Sequence, residues 1–151
     1  MDSDPIPFRI FNEIGIINQL SSAVLSRVLP HGLSLAQFGV LNHFVRLGGE
    51  RTPARLAAAF QVTRGAMTNT LSRLEAQGFV AIRPDPEDGR GKLVTITEAG
   101  RSAREEALTI LMHEVGRLEG KVDWEAMAEI LPKLTTLRQI LDEERFKPGG
   151  Q

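Results

Sequence analysis

Four arginines form the main chemical feature of this 151-residue sequence. They fall within residues 51–74, a stretch that contains no aspartate or glutamate. Clustered guanidinium groups bind phosphates and release counterions, so this local charge indicates a nucleic-acid partner although the formal net charge of the chain is −1. A helical surface that happens to contain no acid would give the same pattern, and charge alone leaves both interpretations open. The four residues are Arg51, Arg55, Arg64 and Arg73.

A further cation follows in a short loop rich in glycine, proline and acidic residues. Arg90 stands between Gly89 and Gly91, which permit a tight turn and leave the guanidinium unobstructed. We expect Asp88 to orient this guanidinium through an ion pair. An arginine presented in this way suits the concentrated negative potential of a narrow DNA minor groove. Taken alone, Gly-Arg-Gly is also an ordinary turn sequence.

Catalytic and metal-binding chemistry find little support. The sequence contains no cysteine, which excludes disulfides, thiolate catalysis, thiol redox sensing and cysteine-type zinc sites. Residues 89–92 are similar to part of a phosphate-binding loop, but Pro86 and Leu93 stand where that motif needs glycine and serine or threonine. The three histidines do not share the i, i+4 spacing of a helical metal site, and we interpret them as loop and surface residues. They are His31, His43 and His113. The sequence therefore predicts no enzyme, no cofactor and no metal.

Signals for the starts and ends of helices place the cationic groups on a helix-turn-helix followed by a β-hairpin. Helices are predicted over residues 8–29, 35–47, 53–60 and 63–77, and strands over 79–83 and 92–97. Ser34, Thr52 and Thr63 are the expected caps. The predicted fold is mainly α with a small two- to three-stranded β-wing. In such a winged helix-turn-helix, the second helix of the pair enters the major groove and the hairpin reaches a flanking groove.

The predicted helix over 63–77 has the composition expected of an element that reads bases. Its apolar residues recur at helical spacing and should pack inward: Met67, Leu71 and Leu74. The opposite side is small, polar and free of carboxylates: Gly65, Thr68, Asn69 and Ser72. Asn69 suits a bidentate bond to adenine, Thr68 a base edge or phosphate, and Arg64 guanine or phosphate. Gly65 disfavours a helix by about 1 kcal/mol relative to alanine, which indicates a need for close approach. A solvated helix with a fortuitous glycine is the alternative.

The terminal segments carry more apolar residues than an isolated edge helix needs, which predicts a homodimer. A helix capped by Thr97 is expected to end at Gly120, and a last helix capped by Asp123 is expected to bend at Pro132. The predicted interface residues are Ile6, Phe8, Ile10, Phe11, Ile130, Leu134, Leu137 and Leu141. A two-fold dimer would present its recognition helices roughly 34–36 Å apart to a pseudo-palindromic site. Packing within one chain is the alternative.

From about Phe8 to Phe146, the chain resembles the MarR family of bacterial transcriptional regulators. The matching segments are 33–38 with Leu41, then 65–75, 78–80, the wing 85–91, Leu93 with Val94, and 97–100. The resemblance implies a homodimer with intertwined terminal helices, DNA reading by the fourth helix and wing, and often a small anionic or phenolic effector. Such an effector would lie between the dimer and DNA-binding regions. Asn69 stands where the family commonly has arginine or lysine, so the operator preference of relatives does not transfer.

These inferences predict a ligand-responsive repressor that binds double-stranded DNA as a homodimer. A winged-helix adaptor that binds a protein partner is the alternative. The predicted DNA-binding residues are Arg55, Thr63, Arg64, Gly65, Thr68, Asn69, Ser72, Arg73, Asp88, Arg90 and Lys92. The predicted contacts to a small aromatic or anionic effector are Asn18, His43, Phe44, Arg46 and Met112. Ordinary core packing would also explain Phe44 and Met112.

The predicted organisation is a single chain with a central DNA-binding lobe. The lobe is expected over residues 33–97, a helical dimerisation region over 6–30 and 98–146, and a disordered tail over 147–151. The first thirty residues show no basic start followed by an apolar stretch, and no apolar run approaches the roughly 20 residues of a membrane helix. The expected location is the cytoplasm, without a membrane partner.

Overall fold

The computed structural model describes residues 3–145, and the chain divides into two compact units, Met1–His113 and Glu114–Gln151. The first unit contains α1 (Ile6–Val28), a 3-10 turn (Pro30–Gly32), α2 (Leu35–Leu47), α3 (Pro53–Phe60), α4 (Arg64–Ala76), β1 (Val80–Pro84), β2 (Lys92–Ile96) and most of α5 (Glu98–Val115). The predicted tail, 147–151, and residue 146 lie outside the described residues.

Side-chain caps fix the starts of the central helices, as predicted. At α2, the Gln37 amide donates to Ser34 Oγ at 3.1 Å and the Ser34 amide donates to Gln37 Oε1 at 2.8 Å, a complete capping box. Thr52 caps α3 and Thr63 caps α4, with amide-to-Oγ1 distances of 3.2 and 3.1 Å. The Gly100 amide donates to Thr97 Oγ1 at 3.0 Å at the start of α5.

The wing is a two-stranded antiparallel sheet supported by one additional bridge. The register of β1 and β2 runs from Val80 opposite Ile96 to Pro84 opposite Lys92. On the other side of β2, Arg51 and Val94 exchange two backbone hydrogen bonds, of 3.1 and 2.8 Å. The prediction of two to three strands is confirmed, with the third reduced to this single bridge.

A core formed by α2, α3, α4, both strands and α5 holds α4 against the wing. The buried members of α4 are Met67, Leu71 and Leu74, which confirms the predicted inward face. They pack with Val40, Leu41, Phe44, Leu56, Ala57, Val80, Val94 and Ala103. The apolar spacing of α4 therefore determines which of its sides remains outside.

The helices of the second unit differ from the sequence prediction around Pro132. The chain forms two helices there, α6 (Trp124–Ala128) and α7 (Leu131–Glu144), after a 3-10 turn over Gly116–Leu118. The expected single bent helix is therefore wrong. Pro132 lies in the first turn of α7, where its missing N–H removes no helical hydrogen bond. Asp123 caps α6, with its Oδ1 accepting from the Ala126 amide at 3.0 Å.

Candidate nucleic-acid interface

Helix α4 presents an exposed polar side opposite its buried apolar residues. Gly65, Thr68, Asn69 and Ser72 are all exposed, as the rotation of the helix predicts. A Cβ added at Gly65 would meet no atom of the described part of the chain within 4 Å. Nothing in residues 3–145 requires glycine at this position, so a requirement for it would have to come from a partner that approaches the helix.

The wing loop is organised by carboxylates that accept backbone hydrogen bonds. The Arg90 amide donates to Asp88 Oδ1 at 3.1 Å, and the Glu87 amide donates to Asp85 Oδ1 at 3.0 Å. The Gly91 amide donates to the Asp88 carbonyl at 2.9 Å. The expected ion pair between Asp88 and the Arg90 guanidinium is not formed among the described residues. Asp88 instead shapes the turn and leaves the guanidinium of Arg90 exposed.

Between α4 and the wing lies an open cleft of about 750 Å³. The predicted DNA-binding residues that line it are Arg64, Thr68, Ser72, Asp88, Arg90 and Lys92. Thr52, Pro53 and Ala54 contribute from the start of α3, together with Leu71 of α4. The cleft therefore brings hydroxyls of α4 and cations of the wing to one concave surface.

The cleft contains acidic as well as basic side chains, whereas the sequence pattern suggested a mainly basic surface. Arg64, Arg90 and Lys92 form no ion pair within residues 3–145, so their charges face solvent. Sequence reasoning missed Arg83 and Glu75, which also line the cleft. Arg83 pairs with Glu50, Nη2 to Oε1 at 2.5 Å. Glu75 directly follows the acid-free stretch 51–74, so the charge pattern did not include it. The position of Arg83 depends on the strand register and on its ion pair, which the sequence alone does not reveal.

The remaining predicted DNA-binding residues lie outside the cleft lining. They are exposed on α3, on α4 and at the cap of α4: Arg55, Thr63, Gly65, Asn69 and Arg73. Their roles toward DNA stay predictions. Thr63 already uses its Oγ1 to accept from the Ala66 amide at 3.1 Å.

The C-terminal end of α4 is anchored by a set of polar contacts. Gln77 Nε2 donates to the His31 carbonyl at 2.8 Å, and His31 Nε2 lies 2.5 Å from Glu106 Oε2 on α5. His31 has a left-handed backbone, with φ of 59°, and its ring contacts Phe79 edge-on at 5.5 Å between centroids. Thr97 Oγ1 donates to the Gly78 carbonyl at 2.6 Å. These contacts fix the C-terminal end of α4 relative to α5.

The five predicted effector residues do not meet in the cleft. Phe44 is completely buried in the core, so it exposes no surface to a ligand and the alternative of core packing accounts for it. Met112, Asn18 and Arg46 are exposed. His43 is partly buried and its ring lies 5.3 Å from that of Phe60.

The predicted dimer residues are almost all exposed in the single chain. Seven of the eight are exposed, and Leu137 is half-buried. Helix α1 contains no buried residue along its 23 residues. The exposed members are Ile6, Phe8, Ile10, Phe11, Ile130, Leu134 and Leu141.

Residues 3–145 contain neither a group of metal-binding side chains nor a membrane-spanning helix. Over 3–145 no three histidine or acidic side chains are grouped so that they could bind a metal ion. Within the same range, no helix has the length and apolar character needed to cross a bilayer.

Comparison with known proteins gives consistent matches. The profile described as MarR family matches residues 31–91. The chain is 35% identical over 105 residues to the multiple antibiotic resistance protein MarR of Escherichia coli K12, a match that covers 64% of this chain and 72% of that protein. A MarR family transcriptional regulator from Streptomyces coelicolor has a similar fold, with a TM-score of 0.69 at 30% identity over 95% of this chain and 100% of that one. A mutant of E. coli MarR complexed with operator DNA gives a TM-score of 0.62 at 28% identity, covering 91% of this chain and 93% of that one.

Proposed function

The chain belongs to the MarR family of transcriptional regulators, and on that premise we propose that it binds double-stranded DNA sequence-specifically as a homodimer. It represses transcription by occupying a pseudo-palindromic promoter site. A small aromatic or anionic ligand modulates its binding. Members of the family are regulators and not enzymes, which agrees with the expectation from the sequence.

The observation that carries this proposal is the cleft between α4 and the wing. Its walls combine exposed hydroxyls of Thr68 and Ser72 with the cations Arg64, Arg90 and Lys92. A helix of this width fits the major groove, and a hairpin beside it reaches the neighbouring minor groove. Hydroxyl and guanidinium groups donate hydrogen bonds to acceptor atoms of the bases and to phosphate oxygens. The cleft therefore suits one duplex that is contacted by both elements.

Dimerisation is supported by the terminal helices. A 23-residue helix without a buried residue gains too little from its own chain to explain its apolar content. A second copy of the same helix would cover this surface through a two-fold interface. Two copies of α4 would then face successive turns of the same duplex.

Binding to the DNA upstream of its own gene, measured over a range of salt concentrations, tests the proposal. A DNA reader should lose affinity steeply as salt rises, because each neutralised phosphate contributes a slope of about −0.9. The alternative, an adaptor, should show no salt-dependent binding to duplex DNA and should retain a protein partner instead. Absence of binding to any genomic fragment would contradict the proposed function.

Replacing Arg90 by alanine should weaken binding to most duplexes, whatever their sequence. The wing arginine of each subunit contacts phosphates or a narrow minor groove, so its removal from both should reduce the salt slope by about 1.8 and the affinity by roughly 50- to 100-fold near 0.1 M salt. Fluorescence anisotropy with a labelled duplex measures both quantities. Lys121→Ala removes one positive charge from an exposed site outside the cleft, where the described residues form no ion pair with it, and should change neither. An unchanged slope in Arg90→Ala would count against the wing assignment.

Replacing Asn69 by alanine should affect sequence discrimination and leave general affinity nearly intact. An amide that bonds a base edge bidentately contributes about 1–3 kcal/mol on the preferred site and little on random DNA. Competition between the preferred fragment and random duplex measures this difference. Equal losses on both DNAs would show that Asn69 does not read bases. Thr70→Ala is a suitable control, because the Thr70 hydroxyl donates to the Ala66 carbonyl within the helix at 3.1 Å.

The ligand response rests on polar groups beside the DNA-binding core. His43 and Arg46 are three residues apart on α2, a spacing that puts them on one side of the helix. A cation beside an aromatic imidazole suits an aromatic acid. Such a ligand would bind more tightly to a conformation of the dimer in which the two copies of α4 are at one spacing than to a conformation with another spacing. The coupling free energy between ligand binding and DNA binding would be about 1–3 kcal/mol. Titrating aromatic acids into the DNA complex and measuring release of the duplex tests this part of the proposal.

A further inference from the structure

One cation of the cleft already has an acidic partner from the same chain. Arg83 lines the cleft beside Arg90 and Lys92, and its Nη2 lies 2.5 Å from Glu50 Oε1. The neighbouring cations form no ion pair within residues 3–145. Arg83 therefore differs from the other basic residues of this surface, because its charge is neutralised before any DNA arrives.

The backbone holds Glu50 in the position that this pairing needs. Glu50 precedes Arg51, whose amide and carbonyl are both hydrogen-bonded to Val94 of β2. Arg51 Nη1 also donates to the Glu50 carbonyl at 2.8 Å. In the sheet register, Arg83 is opposite Leu93 on β2, so β2 lies between Arg83 and the Glu50 segment. The Arg83 side chain reaches across this strand to the carboxylate.

The pair is too exposed to be explained as a source of stability. The Arg83 and Glu50 side chains keep 49% and 43% of their surface exposed, respectively. Ion pairs at such sites contribute little to folding, since water and salt screen them and two long side chains must be ordered. The same short contact nevertheless occupies the guanidinium, which is the group that would otherwise bind a phosphate.

We propose that Glu50 acts as an internal phosphate mimic that occupies Arg83 and lowers the affinity of the protein for DNA of any sequence. This inference rests on the proposed function, since it concerns the same cleft. Arg83 is one positive charge that the fold withholds from the set that neutralises phosphates. The Glu50 carboxylate keeps the affinity for non-specific DNA low enough for the protein to dissociate from it. The bases are read by a different element, α4.

The substitution Glu50→Gln should strengthen binding to a fluorescent duplex of random sequence. Freeing one phosphate-binding cation in each subunit should make the salt slope of the dimer steeper by about 1.8, which corresponds to roughly 25- to 100-fold higher affinity near 0.1 M salt. The thermal unfolding midpoint should move by no more than about 2 °C, because the pair is exposed. The upstream genomic fragment should gain affinity by a similar factor.

A double-mutant cycle with Arg83→Gln separates this effect from a general change in charge. In the Arg83→Gln background, Glu50→Gln should change affinity by no more than about twofold, because the cation it would release is absent. Arg83→Gln alone should leave the salt slope of the otherwise unaltered protein nearly the same. An equal gain from Glu50→Gln in both backgrounds would overturn the inference, as would a loss of slope in Arg83→Gln alone, since Arg83 would then already contact a phosphate.

The unsubstituted protein distinguishes failure of this inference from failure of the proposed function. If it binds duplex DNA with the expected salt dependence and Glu50→Gln does not bind more tightly, only the inference is wrong. If it binds no duplex at any salt concentration, both are wrong.

Discussion

Replacing Ile10 by glutamate should convert the proposed dimer into monomers and lower affinity for the preferred DNA site by about a hundredfold or more. Ile6, Ile10, Ile14 and Ile17 are exposed and follow one another at spacings of four, four and three residues, which puts them on one face of α1. An interface on this face would bury an unpaired carboxylate from each subunit, which is strongly unfavourable. Binding of the second half-site would no longer be intramolecular, and linkage of this kind contributes about 10²- to 10⁴-fold.

Sedimentation velocity at micromolar concentration measures the mass, and anisotropy measures DNA affinity. Ile10 is exposed in the single chain, so the variant should remain folded. Gln19→Glu is the matched control, because Gln19 follows Ile10 by two and a half helical turns and is exposed on the opposite side of α1. A dimeric Ile10→Glu protein with unchanged DNA affinity would show that this stripe is not the interface. Equal effects of the two substitutions would indicate a response to charge alone.

Helices with strong local signals could be predicted from the sequence almost to the residue. A cap such as Ser34 or Thr63 acts on amides three residues away, so the information it needs is contained in one helical turn. The inward face of α4 was predictable for the same reason, since helical periodicity fixes which residues share a side. The prediction for Pro132 was wrong because proline is tolerated in the first turn of a helix but disrupts a helix interior. Only the position at which the preceding helix ends distinguishes these two cases.

The candidate site was less predictable, because several of its features depend on contacts between distant residues. The ion pair of Arg83 with Glu50 joins positions that only the sheet brings together. The carboxylate of Asp88 was expected to pair with a guanidinium and instead accepts from the Arg90 amide, since an aspartate readily bonds the backbone two residues on. Composition identified the cations of the surface, while tertiary structure decides which of them are available to phosphate.

A stability effect larger than that of any surface change should follow from Gly100→Ala. A Cβ at this position would lie 2.0 Å from the Phe79 carbonyl oxygen and 2.9 Å from Ile96 Cγ1. The Phe79 carbonyl accepts from the Thr97 amide at 3.1 Å, so it cannot withdraw without breaking the contact between the start of α5 and β1. We expect a loss of about 3 kcal/mol in the free energy of unfolding, by the mechanism of overpacking. For a chain of this size the thermal midpoint should fall by roughly 10 °C, measured by circular dichroism.

The substitution Gly65→Ala provides the opposite result at a helical glycine of the same chain. Because a Cβ at Gly65 meets no atom within 4 Å, alanine there should leave stability unchanged or raise it by up to about 1 kcal/mol. The same methyl group would project from the side of α4 that we propose faces the bases, so affinity for the preferred site should fall while the protein becomes no less stable. Gly100→Ala should show the opposite pattern: the protein should lose stability, while the fraction that stays folded should bind DNA with unchanged affinity. A Gly100→Ala protein as stable as the original would mean that α5 moves freely against β1, and unchanged DNA affinity in Gly65→Ala would mean that no partner approaches α4 at that point.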